Sequence, residues 1–162
     1  MELSHLLENI DVLQIKGESE GDVLSVCYDS KRCGRCSLFT AIPGLNIDGH
    51  DFIPEAVARG AVYILHENNF IPPHGVTAIK VANSRRALGI LGKNFYRHPS
   101  AELCLVGVMG TNGKTTVTYL LESVFLAAGY HTGMFGTVNY RYQDKVFPAP
   151  NTTPESFEFQ KI

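Results

Sequence analysis

This chain lacks an excess of charge of either sign. Fourteen Lys and Arg stand against sixteen Asp and Glu in 162 residues, a formal net charge of −2 with the histidines neutral. No basic stripe suggests nucleic acid or an anionic membrane as a partner. An apolar run of the ~18 residues that a membrane helix needs is also missing. The start, MELSHLLENI, carries acidic residues where a signal peptide would be basic and then apolar. A cytoplasmic protein without membrane insertion is therefore expected. The six histidines show no HxH or HExxH spacing, which argues against a metal site built on them. Four cysteines, Cys27, Cys33, Cys36 and Cys104, would stay reduced in that compartment and form no disulfide framework. Cys33-Gly34-Arg35-Cys36 is a CxxC with only Cys27 nearby. It reads as a loop with free thiols, since neither a zinc ligand set nor a following redox helix is at hand. Neither internal repeats nor low-complexity tracts occur.

What is present is an α/β pattern, with 44% apolar and 19% charged residues, enough for a globular core. Leu3, Leu6 and Leu7 have helical spacing. Val23 to Tyr28 and Leu38 to Ile42 read as strands around a polar turn, and a breaker-rich loop, Pro43 to Asp51, follows. Phe52, Ile53, Ala56 and Val57 mark a helix with Gly60 as its cap. Strands at Ala61 to Leu65 and Thr77 to Val81 precede a helix from about Ser84 to Tyr96. A mixed or parallel sheet flanked by helices is expected over residues 1–98. His98-Pro99-Ser100 marks the boundary with a second unit, 99–162. Further on, Tyr140, Tyr142 and Phe147 alternate with polar residues and predict a half-buried strand pair.

The second unit opens on Leu103-Cys104-Leu105-Val106-Gly107-Val108, a run expected to be a strand buried on both faces. Gly110-Thr111-Asn112-Gly113-Lys114-Thr115-Thr116 follows. Val117, Leu120, Leu121, Val124 and Phe125 then mark a helix face ending near Gly129. Strand, glycine loop and helix is the setting a phosphate loop requires. Glycines let backbone N–H groups close around phosphate oxygens at the positive end of the helix dipole. Lys114 can reach the terminal phosphates of ATP, and the Thr115 hydroxyl suits Mg²⁺. The loop is a shortened G-x-x-G-K-T, because Val108 stands where the longer pattern has its first glycine.

GTNGKTT resembles the ATP loop of the Mur ligase family, cytoplasmic ATP-dependent amide-bond ligases of peptidoglycan precursor synthesis. Tyr28-Asp29-Ser30-Lys31 resembles the family's "DSR". The stretch from Ala41 to His50 resembles "A-x-P-G-x-x-x-D-G-H", and Asn151-Thr152-Thr153-Pro154-Glu155 resembles "N-T-T-P-E". The last points to the members that add the third residue, 2,6-diaminopimelate or L-lysine, to UDP-N-acetylmuramoyl-L-Ala-D-Glu through an acyl phosphate. The resemblance implies a uridine-nucleotide domain, 1–98, and the incomplete start of a P-loop ATP domain, 99–162. It implies that Ser30, Leu45, Asn46 and Ile47 hold the uridine diphosphate end. Asn151, Thr152 and Thr153 would hold the sugar-peptide part, and Gly110 to Thr116 the ATP. Lys114 and Thr115 are the implied catalytic groups, Thr115 also at the metal. The partners are the UDP-sugar dipeptide and a diamino acid, and a monomer is expected.

Two departures accompany the match. Arg35-Cys36-Ser37 replaces the family's proline-glycine-acid turn, and Met109 stands where threonine is common. The rest of the family's ATP domain and its amino-acid-selecting third domain lie beyond residue 162, so this chain alone is expected not to catalyse ligation. Alternatives are another Mur or folylpolyglutamate-type ligase, which shares the G-T-N-G-K loop, and a non-catalytic uridine-nucleotide or ATP-binding module.

Overall fold

The computed structural model describes residues 1–44, 47–142, 145–149 and 153–162. They form two compact units, one of Met1–Glu102 with Ser156–Ile162 and one of Leu103–Glu155. The first unit therefore includes the turn after His98 and the last helix.

The first unit is a five-stranded sheet. In chain order its elements are α1 (Leu3–Leu6), β1 (Val12–Lys16), β2 (Ser25–Cys27), β3 (Ser37–Thr40), α2 (Ile53–Ala58), β4 (Ala61–His66), β5 (Thr77–Val81), α3 (Ser84–Phe95) and, from the chain's end, α5 (Ser156–Lys161). The strand order is β1-β5-β4-β3-β2. β2, β3, β4 and β5 are mutually parallel, and β1 joins β5 antiparallel. Parallel strands covered on both faces read as continuous apolar runs, and β3 is buried at every position. Alternation across the pleat divides the core in two. Leu38, Leu65, Ile79 and Val81 face α1 and α3, where Leu3, Leu6, Leu88 and Leu91 fill the layer. Phe39 and Ile64 face the other way, against Ile53 and Ala56 of α2.

Local signals set the helix ends. Asn83 caps α3 by accepting the Arg86 N–H at 2.8 Å. The helix closes where Arg97 and His98 take left-handed backbone, each with φ of 60°. β1 was not expected. It is an exposed edge strand with a register irregularity between Val12 and Gln14, so it lacks the one-sided alternation that reveals a half-buried strand.

The second unit holds α4 (Lys114–Ala127) and an antiparallel sheet in the order β6 (Gly133–Phe135), β7 (Asn139–Tyr142), β8 (Lys145–Pro148). The expected strand pair is there, with Tyr140 buried opposite Phe147. Arg141 pairs with Glu122 of α4, and its guanidinium lies 4.4 Å from the Tyr119 ring centroid, which fastens helix to sheet.

The run Leu103 to Val108 departs from expectation. It forms no strand, and Leu103, Leu105 and Val106 are 64%, 55% and 58% exposed. A strand exists only through backbone pairing, and among the described residues no strand pairs with this run. The apolar face of α4 is likewise open, with Leu120 62% and Val124 63% exposed. Leu120→Ser and Val124→Ser should each shift unfolding free energy by less than about 0.5 kcal/mol, as for uncovered surface positions. A urea titration of both variants beside the parent chain measures this, and a loss of ~2 kcal/mol would mean the face is covered.

Among the described residues no helix is long and apolar enough to cross a membrane.

Candidate nucleotide-binding site

The glycine loop predicted to hold phosphate lies at the start of α4. Gly113 is the N-cap with φ 75° and ψ −4°, a left-handed conformation that strains any residue with a Cβ. No side chain caps this end. The Gly113 carbonyl accepts the first helical bond from Val117 N–H at 2.9 Å, which leaves the N–H groups of Lys114, Thr115 and Thr116 without intrahelical acceptors. Three unspent donors at the positive end of a helix of 14 residues favour an anion.

Lys114 folds back over the loop. Its ammonium donates to the Gly110 carbonyl at 2.6 Å and the Thr111 carbonyl at 3.2 Å, so the cation already stands over the turn the phosphates would occupy. Gly110, Thr111, Asn112 and Gly113 are solvent-exposed, and Thr115 is half-buried on the first helical turn. A neutral hydroxyl there fits a hard divalent cation, which prefers oxygen ligands. Thr153 is exposed in this same unit. Asn151 and Thr152 lie outside the described residues.

Ser30 and Ile47, two of the residues predicted for the uridine end, belong to the first unit, on loops that leave the C-terminal ends of parallel strands, the usual ligand edge of such sheets. After β2, Asp29 caps a 3₁₀ turn, Ser30–Arg32, by accepting the Lys31 N–H at 3.0 Å. Ser30 is buried and donates its hydroxyl to Glu55 Oε2 of α2 at 2.6 Å. Its proton is therefore committed, and a ligand would meet its oxygen lone pairs. That bond, with Arg59 on the other carboxylate oxygen, holds the Glu55 pKa below the usual carboxylate range.

After β3 the chain doubles back. Gly44 N–H donates to the Ile47 carbonyl and Gly49 N–H to the Ile42 carbonyl, both at 3.0 Å, and Pro43 bridges Asp48. A Cβ on Gly49 would lie 2.6 Å from the Ile42 nitrogen and oxygen, which explains the glycine in "DGH" as close backbone approach. Ile47 is exposed at the tip. Leu45 and Asn46 lie outside the described residues.

A parallel sheet with open loops at its C-terminal edge is followed in this chain by a glycine loop at a helix start, and two family descriptions match these two parts in that order. The family description "Mur ligase family, catalytic domain" matches residues 22–96, and "Mur ligase middle domain" matches residues 108–162. The chain belongs to the Mur ligase family. It is 38% identical, over all of its length, to the UDP-N-acetylmuramoyl-L-alanyl-D-glutamate--2,6-diaminopimelate ligase of Cytophaga hutchinsonii, of which it covers 34%. To the protein of the same name from Geobacillus kaustophilus it is 41% identical over 99% of its length, covering 32% of that protein. The solved structure of another ligase of that name superposes on 99% of this chain with a TM-score of 0.71 at 16% identity, and the chain covers 32% of it. That likeness shows the shared Mur ligase fold. The chain spans about a third of the length of the relatives it matches.

Sequence reasoning missed several features of this Mur ligase chain. Glu55, 25 residues from Ser30, is invisible as its partner in local spacing. A recess of about 250 Å³ opens beside β2, walled by Tyr28, Arg32, Phe95, Tyr96 and Phe157, with Arg32 paired to Glu158 at 2.9 Å. None of the predicted site residues lines it. Cys33 packs against Cys27, whose buried thiol donates to the Leu38 carbonyl at 3.6 Å; the mutual influence of the two sulfurs pushes Cys33 below the usual thiol range and, with burial, Cys27 above it.

His66, buried at the end of β4, places Nδ1 2.9 Å from the Asn68 carbonyl and its ring edge-on to Phe70. Burial first of all lowers its pKa below the ordinary 6.5. The unfolded chain then takes up the proton before the folded one does, so this stability is complete above about pH 6.5 and is lost as pH falls below it. The urea midpoint should drop between pH 7.5 and 5, and the drop should be smaller in His66→Phe. Equal slopes in parent and variant would remove His66 from the account.

Proposed function

We propose that the chain carries the uridine-nucleotide docking unit and the phosphate loop of an ATP-dependent amide-bond ligase. The ligase adds a diamino acid to UDP-N-acetylmuramoyl-L-Ala-D-Glu in peptidoglycan precursor synthesis. The observation that carries this is the uncapped N-terminus of α4 under Lys114, following in one chain the Ser30 and Ile47 loops at the sheet's C-terminal edge. Relatives named for this reaction match that order throughout. In this reading residues 1–98 form the uridine-nucleotide domain and 99–162 the start of the ATP domain, in a monomeric cytoplasmic protein.

Lys114 and the free N–H groups of α4 hold the phosphates of ATP and offset charge as the γ-phosphoryl group moves to a substrate carboxylate. The activated carboxyl is an acyl phosphate, whose carbonyl carbon the incoming amine attacks; the C–N bond forms as the C–O bond to phosphate breaks, and inorganic phosphate leaves. Mg²⁺, held with the help of the Thr115 hydroxyl, supplies further charge neutralisation when bound. Thr152 and Thr153 offer neutral hydroxyls to the anionic peptide, with Asn151 beside them. Ser30, Leu45, Asn46 and Ile47 hold the uridine diphosphate end.

Isothermal titration with UDP-N-acetylmuramoyl-L-alanyl-D-glutamate, and separately with ATP and Mg²⁺, tests this. The uridine compound should bind, and Ser30→Ala should weaken it by releasing Glu55 and removing the hydroxyl. Binding of ATP alone, with no response to the uridine compound, would sink the ligase reading and leave a different phosphate-loop protein.

A further inference from the structure

The loop between β3 and the next 3₁₀ turn closes on itself through Gly44, Ile47 and Gly49, but those bonds do not tie it to the strand beside it. One side chain does. The His50 ring, 9% exposed, has Nδ1 2.6 Å from Asp48 Oδ1 and Nε2 3.0 Å from the backbone nitrogen of Glu67, the first residue beyond β4. We propose that His50 is a positioning residue for uridine-nucleotide binding, which pins the Pro43–Asp48 loop to the end of β4. The inference rests on the proposed function, since it takes that loop as the uridine side of the site.

The partners decide the state of the ring. A backbone N–H can only donate, so the Glu67 amide requires a bare Nε2, and the single proton of the neutral imidazole sits on Nδ1, aimed at the Asp48 carboxylate. Asp48 is fixed in turn, because the same oxygen accepts the His50 N–H at 3.0 Å, and these bonds hold its pKa below the usual carboxylate range. The anchor itself is rigid. One carboxylate oxygen of Glu67 accepts both the backbone N–H and the hydroxyl of Ser84, each at 2.7 Å, at the first turn of α3. Loop, strand end and helix start thus form one hydrogen-bonded chain along the edge where β2, β3 and β4 all present their C-terminal ends.

A proton on Nε2 would set two donors against each other at the Glu67 amide and release the loop. The titratable groups facing the ring are Asp48 on its own turn, His66 on β4 and Glu67 just beyond it. His66 is a second imidazole close by, its pKa held below the ordinary value by burial, so a substitution at His50 is needed to assign any effect. Glutamine suits this purpose. Its amide keeps an uncharged donor and acceptor and has no proton to gain.

The test is titration of this chain, with His50→Gln and His50→Leu variants, with UDP-N-acetylmuramoyl-L-alanyl-D-glutamate from pH 7.5 to 5.5. The diphosphate diester stays ionised throughout, so a pH dependence belongs to the protein. Affinity of the parent chain should fall about tenfold over this range, because a proton on Nε2 removes the acceptor that holds the Glu67 amide. His50→Gln should bind with little change across the range, and His50→Leu should bind at least tenfold more weakly at pH 7.5 with circular dichroism unaltered. A Gln variant that keeps the parent's pH dependence overturns the inference, as does a Leu variant that binds like the parent. The pH comparison of parent and Gln chains decides the matter even where the Leu variant does not fold. A parent chain that binds none of this ligand at any pH overturns the ligase reading, and the inference falls with it.

Discussion

Lys114→Ala should weaken binding of ATP with Mg²⁺ by at least about tenfold. Charge-assisted hydrogen bonds contribute roughly 1.5–3 kcal/mol, and each ~1.4 kcal/mol is a factor of ten in affinity. The Lys114 ammonium now rests on the carbonyls of Gly110 and Thr111, so reaching the phosphates exchanges two neutral acceptors for anionic oxygens, which are stronger partners. Alanine is the best helix former, and α4 should therefore keep its far-ultraviolet signal while the nucleotide is lost. Lys114→Arg should restore only part of the affinity, because a planar fork does not fit a loop closed around a compact ammonium. Calorimetric titration of the three chains measures this. Unchanged affinity in Lys114→Ala, with α4 intact, would show that ATP is bound somewhere other than this loop.

That prediction was within reach of the sequence, and the reason is local. A glycine loop between an apolar run and a helical periodicity involves residues within about one turn of each other, so spacing alone places Lys114 over the N-terminus of α4. The same holds for β3, β4 and β5, whose apolar runs follow from burial on both faces, and for α3, whose cap and left-handed exit lie in adjacent residues. What spacing cannot convey is pairing over distance. The Leu103 to Val108 run has the composition of a buried strand, yet composition does not show whether a neighbour is there to pair with it. Ser30 with Glu55, and His50 with the Glu67 amide, are separated by 25 and 17 residues and meet only because parallel strands bring their C-terminal ends to one edge. The docking of α5 on α3 is of the same kind. Gly92 makes room for Phe157, since a Cβ there would stand 3.1 Å from the Phe157 Cα, and nothing in the sequence around either residue announces the other.

Long-range pairing also sets the largest stability effect expected in the first unit, at Asn94. This residue of α3 is 7% exposed, and its Nδ2 donates one proton to the Leu6 carbonyl at 3.0 Å and the other to the Glu8 carbonyl at 2.8 Å. α1 has four residues, too few to satisfy its own last carbonyls, and a helix that short has no stability apart from its packing. Asn94 therefore does for α1 what a C-terminal cap would do. Asn94→Leu keeps the volume but strands both carbonyls. At about 1–3 kcal/mol for the buried Leu6 carbonyl left unsatisfied, and less for that of Glu8, an exposed residue, the loss should be ~2–4 kcal/mol, a large share of the stability of a small domain. Asn94→Asp should be at least as damaging, because its carboxylate faces two carbonyl oxygens with no proton to offer. Urea unfolding of the three chains should show a lower midpoint in both variants with an unchanged slope. Amide exchange should quicken first around Leu3 and Leu6, which are wholly buried while α1 is held. A Leu variant within about 0.5 kcal/mol of the parent would mean that α1 is kept in place by its leucines alone.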